Sequence, residues 1–211
     1  MNDYSQEEER FNVVSHAIGF FLSIVALIVM LIKVIPFGDT LQIVSVIIYG
    51  VSLIVLYAAS TLYHNAKQAK LRKRLKIFDH AAIFLLIAGT YAPYTLITLN
   101  GHGGWWIFAV VWGIAFIGII LKLFFTGRFK IISTLIYILM AWVIVFAVKP
   151  LMENLSIDGL YWLAAGGFFY MIGALLYSIK KIKFNHAIFH VFVLAGSFSH
   201  FYSIYVYVLP G

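Results

Sequence analysis

The sequence contains no cysteine, only four prolines in 211 residues, and just 11% charged side chains. The missing cysteines exclude disulfides and thiolate metal ligands, which leaves histidine, carboxylate, hydroxyl and backbone groups for any metal site. An ordinary soluble domain is about 25% charged, so the scarcity of charge excludes a water-soluble globular protein. A disordered chain is excluded by the opposite excess, because 63% of the residues are hydrophobic. A spanning helix uses about 20 apolar residues, and this content fills six or seven of them with little left over. The apolar runs are continuous rather than alternating, which argues against an outer-membrane barrel. The composition is that of an all-α, polytopic membrane protein.

Apolar stretches recur near residues 12–35, 41–64, 77–99, 105–125, 131–148, 159–179 and 186–209. They predict seven transmembrane helices forming a single domain over 1–211. The first eleven residues are polar and mostly acidic, lack the basic start of a cleaved signal peptide, and read as a short cytoplasmic tail. The formal charge of +7 is not a nucleic-acid footprint, because the positive residues sit between apolar runs, so no nucleic-acid partner is expected. If the spans alternate, one side of the membrane receives thirteen of the fifteen lysines and arginines. These are Arg10, the run from Lys67 to Lys76, then Lys122, Arg128 and Lys130, and finally Lys180, Lys181 and Lys183. Lys33 and Lys149 alone fall on the other side. The positive-inside rule then places the N-terminus in the cytoplasm and the C-terminus outside, in a multi-pass protein of the cell membrane. Pro93 is expected to kink the third span, and Trp105 and Trp106 stand where an interfacial anchor would.

Ionisable groups at membrane depth are costly and therefore candidates for function. His64 ends the second span, Asp79 opens the third, and His186 and His190 open the seventh. With alternating spans these four groups share one depth. His186 and His190 are four residues apart, which puts both imidazoles on one helical face; Ser60 and His64 have the same spacing. His200 lies about 15 Å further along its helix, too deep to join them. Three imidazoles with a carboxylate nearby suit Zn²⁺, and three protein ligands leave a fourth position for water, the pattern of a catalytic site. Asp79 could hold or deprotonate that water, and Ser60 could orient a ligand or the substrate. The plainer account is an interior histidine hydrogen-bonded across helices. It is adopted for His16 near the entry of the first span, for His80, rotated about 100° from Asp79, and for His102 in a loop.

The runs Ser60-Thr-Leu-Tyr-His64, Phe78-Asp79-His80-Ala-Ala-Ile with Ala88-Gly-Thr-Tyr-Ala-Pro93, and His186-Ala-Ile-Phe-His190 with His200-Phe-Tyr resemble the hemolysin III family. That family falls within the wider progestin and adipoQ receptor group. The resemblance covers essentially the whole chain. It implies a seven-helix fold with a cytoplasmic N-terminus and a Zn²⁺ near the cytoplasmic face. The implied ligands are His64, His186 and His190, with Asp79 meeting the metal directly or through water. It also points to membrane lipid as partner, because the receptor branch is similar to intramembrane ceramidases.

Three functional readings follow. The first is a zinc-dependent membrane hydrolase of a lipid amide or ester, or a lipid sensor on a hydrolase-like site, with Asp79 and Ser60 as its catalytic groups. The second is an ion or proton channel or transporter, which a continuous polar stripe through several helices would favour. The third is a purely structural zinc pinning the second, third and seventh spans. Oligomeric state is left open by the sequence.

Overall fold

The computed structural model describes residues 4–125 and 130–209; Arg128, counted above among the basic residues, lies outside them. Among the described residues, seven helices are long and apolar enough to cross a membrane: α1 (Gln6–Val34), α2 (Thr40–Asn65), α3 (Ala69–Thr98), α4 (Gly104–Phe125), α5 (Ile132–Asn154), α6 (Ile157–Ser178) and α7 (Asn185–Val208). No strand occurs among the described residues. The protein is an all-helical, multi-pass membrane protein, as its composition requires.

Two helices start earlier than hydropathy alone implies. α1 begins at Gln6, inside the segment expected to be a tail. The Ser5 hydroxyl caps it by accepting from the Glu8 amide at 3.2 Å, and Glu7, Glu8 and Glu9 occupy the first turn, where negative charge meets the positive end of the helix dipole. α3 starts at Ala69 and takes in the basic run from Lys70 onward, whose alanine, leucine, lysine and arginine are all good helix formers.

Helices α3 and α5 change character along their length, as does α7 at its π-helical end, Ile204–Val208. The α-helical part of α3 ends at Pro93 and continues as a π-helical turn over Tyr94–Thr98, so the expected kink takes the form of a widened turn. In α5 a 3₁₀ segment, Val143–Ala147, interrupts the α-helix. Its cause is a side chain from α3. The Tyr91 hydroxyl donates to the Met140 carbonyl at 2.7 Å and accepts from the Ile144 amide at 3.0 Å. It has inserted itself into what would be one helical hydrogen bond.

α1 packs against both α2 and α7, bringing the two ends of the chain together. Gly19 permits this closeness, since a Cβ there would come within 2.6 Å of Tyr57 on α2 and 2.8 Å of Leu194 on α7. Most buried hydroxyls donate to carbonyls of their own helix, among them Ser45 to Leu41, Ser52 to Tyr49, Thr90 to Leu86 and Ser199 to Ala195, and the half-buried Thr61 does the same to Tyr57. In hydrocarbon, where water cannot satisfy them, this is the cheapest solution. A cross-helix exception joins Tyr57, Ser197 and Tyr170 at 2.7 and 2.8 Å. Large apolar side chains such as Phe21, Ile32, Phe116 and Phe146 face outward, as a lipid-facing surface should.

Candidate metal centre

The start of α1, the end of α2 and the starts of α3 and α7 meet at one end of the bundle. His64 reaches this point from the last turn of α2, and His186 and His190 from successive turns of α7. All three are buried. The chain enters α7 through Phe184, a non-glycine residue in the left-handed region at φ 60°. Its ring stands edge-on to Phe11 of α1 at 6.0 Å, and its carbonyl accepts from the Ile188 amide at 2.9 Å. A strained entry held by packing thus fixes the direction in which the first turn of α7 leaves.

The three Nε2 atoms converge. His186 Nε2 lies 3.0 Å from His64 Nε2 and 3.1 Å from His190 Nε2, and one nitrogen from each ring fits within a 4.8 Å cluster. The three Nδ1 atoms point outward, each against a polar group from the beginning of the chain. His64 Nδ1 lies 2.6 Å from Glu9 Oε2. His190 Nδ1 lies 3.3 Å from both the Asn12 carbonyl and the Ser15 hydroxyl. His186 Nδ1 lies 3.2 Å from the Tyr4 hydroxyl, and the Tyr4 ring stacks on the imidazole at 4.6 Å. Glu8 Oε1 accepts from the backbone amide of His186 at 3.1 Å.

Hydrogen-bonding rules convert this geometry into a statement about protons. A carboxylate and a backbone carbonyl can only accept, so His64 and His190 carry their protons on Nδ1. As neutral rings they would present bare Nε2 lone pairs, both aimed at the single Nε2 of His186. One proton on that atom cannot serve both neighbours well, whereas a cation between the three rings serves all of them. Tetrahedral zinc at Zn–N of about 2.05 Å would separate its nitrogens by about 3.3 Å, close to the two spacings observed. The donor set fits a zinc ion, and outward nitrogens held by carboxylate, carbonyl and hydroxyl partners are what metal-bound histidines carry.

Asp79 and Ser60 adjoin the cluster. Asp79 is buried at the start of the apolar part of α3, is hydrogen-bonded by Ser60, and is close enough to His64 to interact with it electrostatically. The cluster with ring nitrogens within 4.8 Å of one another is made of His64, His186 and His190. Asp79 stands beside it.

The remaining histidines divide. His102 lies in the exposed loop before α4, with Nδ1 3.1 Å from the Asn100 carbonyl. His200 lies deeper on α7 and its Nε2 donates to Leu163 O at 3.1 Å. His16, taken from sequence as an ordinary interior residue, is part of the surroundings of the site. Its ring stacks on His190 at 3.5 Å and 8°, and neither of its nitrogens has a hydrogen-bond partner among the described residues. Its four-residue spacing from Asn12 was the available signal, but a position on one helix does not tell which neighbour it will meet.

A family model described as haemolysin-III related matches residues 4–201. The chain belongs to this family. Among haemolysin-III-related proteins, it is 48% identical to Hemolysin-3 of Bacillus cereus, over 97% of this chain and 93% of that protein. It is 43% identical to a Hemolysin-3 homolog of Bacillus subtilis, over 97% and 96% of the two chains. A more distant similarity reaches the human monocyte to macrophage differentiation factor, at 31% identity over 76% of this chain and 69% of that protein. The matched region of the haemolysin-III-related model begins at Tyr4, so it includes the α1 residues that contact the histidines.

Proposed function

We propose that this haemolysin-III-related protein is a zinc-dependent hydrolase of a membrane lipid amide or ester, with its site near the cytoplasmic face of the cell membrane. The observation that carries the proposal is the convergence of three Nε2 atoms with all three Nδ1 atoms tied from outside. His64, His186 and His190 hold the zinc. When bound, zinc supplies Lewis-acid polarisation of a carbonyl and lowers the pKa of water toward neutrality. Asp79 takes a proton from the attacking water at its carboxylate and returns it to the departing amine or alcohol. The Ser60 hydroxyl donates to Asp79 and holds the carboxylate in place. Burial of both groups keeps bulk water from competing for that proton. A lipid sensor would use the same arrangement without turnover.

The channel reading has less to stand on. A conducting stripe needs polar groups turned toward a shared path, and the hydroxyls beyond the histidines mostly face their own helix backbone. The functional test is turnover. Detergent-purified protein, offered lipid amides and esters with one acyl chain, should release fatty acid. Chelation should abolish that release and added zinc restore it. Release that persists unchanged in fully zinc-free protein would remove zinc from the reaction, and no release at all would remove the hydrolase proposal.

The orientation has its own measurement. The chain has no cysteine, so single cysteines at Gln68, Asn100, Asn154 and Lys181, all exposed, report cleanly. An impermeant thiol reagent added outside intact cells should label positions 100 and 154 and leave 68 and 181 unlabelled. The reverse pattern would put the histidine centre on the outer face.

A further inference from the structure

Glu9 is held from two sides. One oxygen meets His64 Nδ1 at 2.6 Å, and the other is bonded by Arg72 Nη2. Arg72 does more than neutralise charge. Its Nη1 donates to the carbonyls of Tyr63 and His64 at 3.3 Å each, and its guanidinium lies 4.7 Å over the Tyr63 ring. Arg72 on α3 therefore grips both the carboxylate and the end of α2 that carries His64. The side chains of His64, Glu9 and Arg72 are 0%, 11% and 15% exposed, so water screens their interactions little.

We propose that Glu9 is a positioning residue of the metal centre, clamped by Arg72. The inference rests on the metal reading above. The Glu9 carboxylate keeps the proton of His64 on Nδ1 and turns the ring so that the Nε2 lone pair faces His186. A buried anion at Nδ1 also raises the electron density of the imidazole, which makes Nε2 a stronger donor to a cation. The mostly buried negative charge further offsets the positive charge that a divalent ion brings into three neutral rings. The competing account is mechanical: Glu9 merely fastens α1 to α2 and α3, and the metal is indifferent to it.

Zinc affinity separates these accounts, measured on the full chain in detergent by competition with a chromophoric chelator. The visible spectrum of the cobalt-loaded protein provides a second readout. Glu9→Ala should weaken zinc binding by about 10–100-fold, the usual effect of losing such a partner, and should alter the cobalt spectrum. Glu9→Gln keeps an acceptor oxygen without the charge and should recover part of the affinity. Glu7→Gln, exposed on the same turn, should behave as wild type. Suppose Glu9→Ala lowers the thermal midpoint of metal-free protein but binds zinc and cobalt as the wild type does. Glu9 is then a mechanical fastener, and the proposal is overturned while the metal centre stands. A wild-type protein that binds neither metal would overturn the metal reading and this inference together.

Discussion

His190→Ala is expected to strip the protein of zinc. Purified wild-type chain should contain about one zinc ion, the stoichiometry of a single three-histidine site, and elemental analysis of the variant should find almost none. His64→Ala should behave in the same way. Losing one of three protein ligands also breaks a shared geometry: the Nε2 atoms of His64 and His190 each stand about one hydrogen-bond length from that of His186. With His190 gone, the Asn12 carbonyl also loses the ring it accepts from and His16 loses the ring it stacks on. His102→Ala is the matched control, since that residue sits in an exposed loop and bonds only locally among the described contacts. A monodisperse gel-filtration peak establishes that each variant is folded before its zinc is counted. Full zinc content in folded His190→Ala and His64→Ala would refute the ligand set.

Asp79→Asn should abolish turnover while sparing the metal. Asparagine keeps the shape and one carbonyl oxygen but loses the charge and the basicity. Loss of a general base costs roughly 10²–10⁴-fold in rate. Zinc content should stay near the wild-type level, because the histidines meet at the cluster and Asp79 stands beside it. Ser60 can still donate to the remaining oxygen, so the local hydrogen bond survives. If the metal serves only to pin helices, the variant's thermal midpoint will instead fall in step with its zinc. If Asp79→Asn hydrolyses the wild-type substrate at the wild-type rate, the general-base role is wrong.

The histidine centre could be read from the sequence because its signals are periodic or topological. His186 and His190 share a face through their four-residue spacing, and His64 joins them once the spans are counted and alternated. The groups around that centre could not be read in this way. Tyr4, Glu8 and Glu9 lie in a polar stretch whose composition suits a solvated tail, Asn12 opens the first apolar run, and only the packing of α1 between α2 and α7 turns them inward. The broken helix in α5 was hidden for a similar reason. Nothing between Trp142 and Ala147 announces a 3₁₀ segment, because the cause is the hydroxyl of Tyr91, about fifty residues earlier in the chain. Pro93 did announce a disturbance, but not that it would be a π-helical turn.

The distance along the chain between its ligands gives the centre a place in time. His64 and His186 are 122 residues apart, and ribosomes add about 5–20 residues per second, so roughly 6–24 seconds of synthesis separate them. During that interval a growing chain can form the Glu9–His64–Arg72 cluster from its first three helices. It then holds one ligand of three, with the remaining pair still to come on the last helix. On the proposed ligand set, no chain arrested before α7 would retain a metal ion, however well its six earlier helices have inserted. On the metal reading, occupancy would mark the completed protein, and a stalled intermediate would carry the Glu9–His64–Arg72 cluster without the helix that covers it.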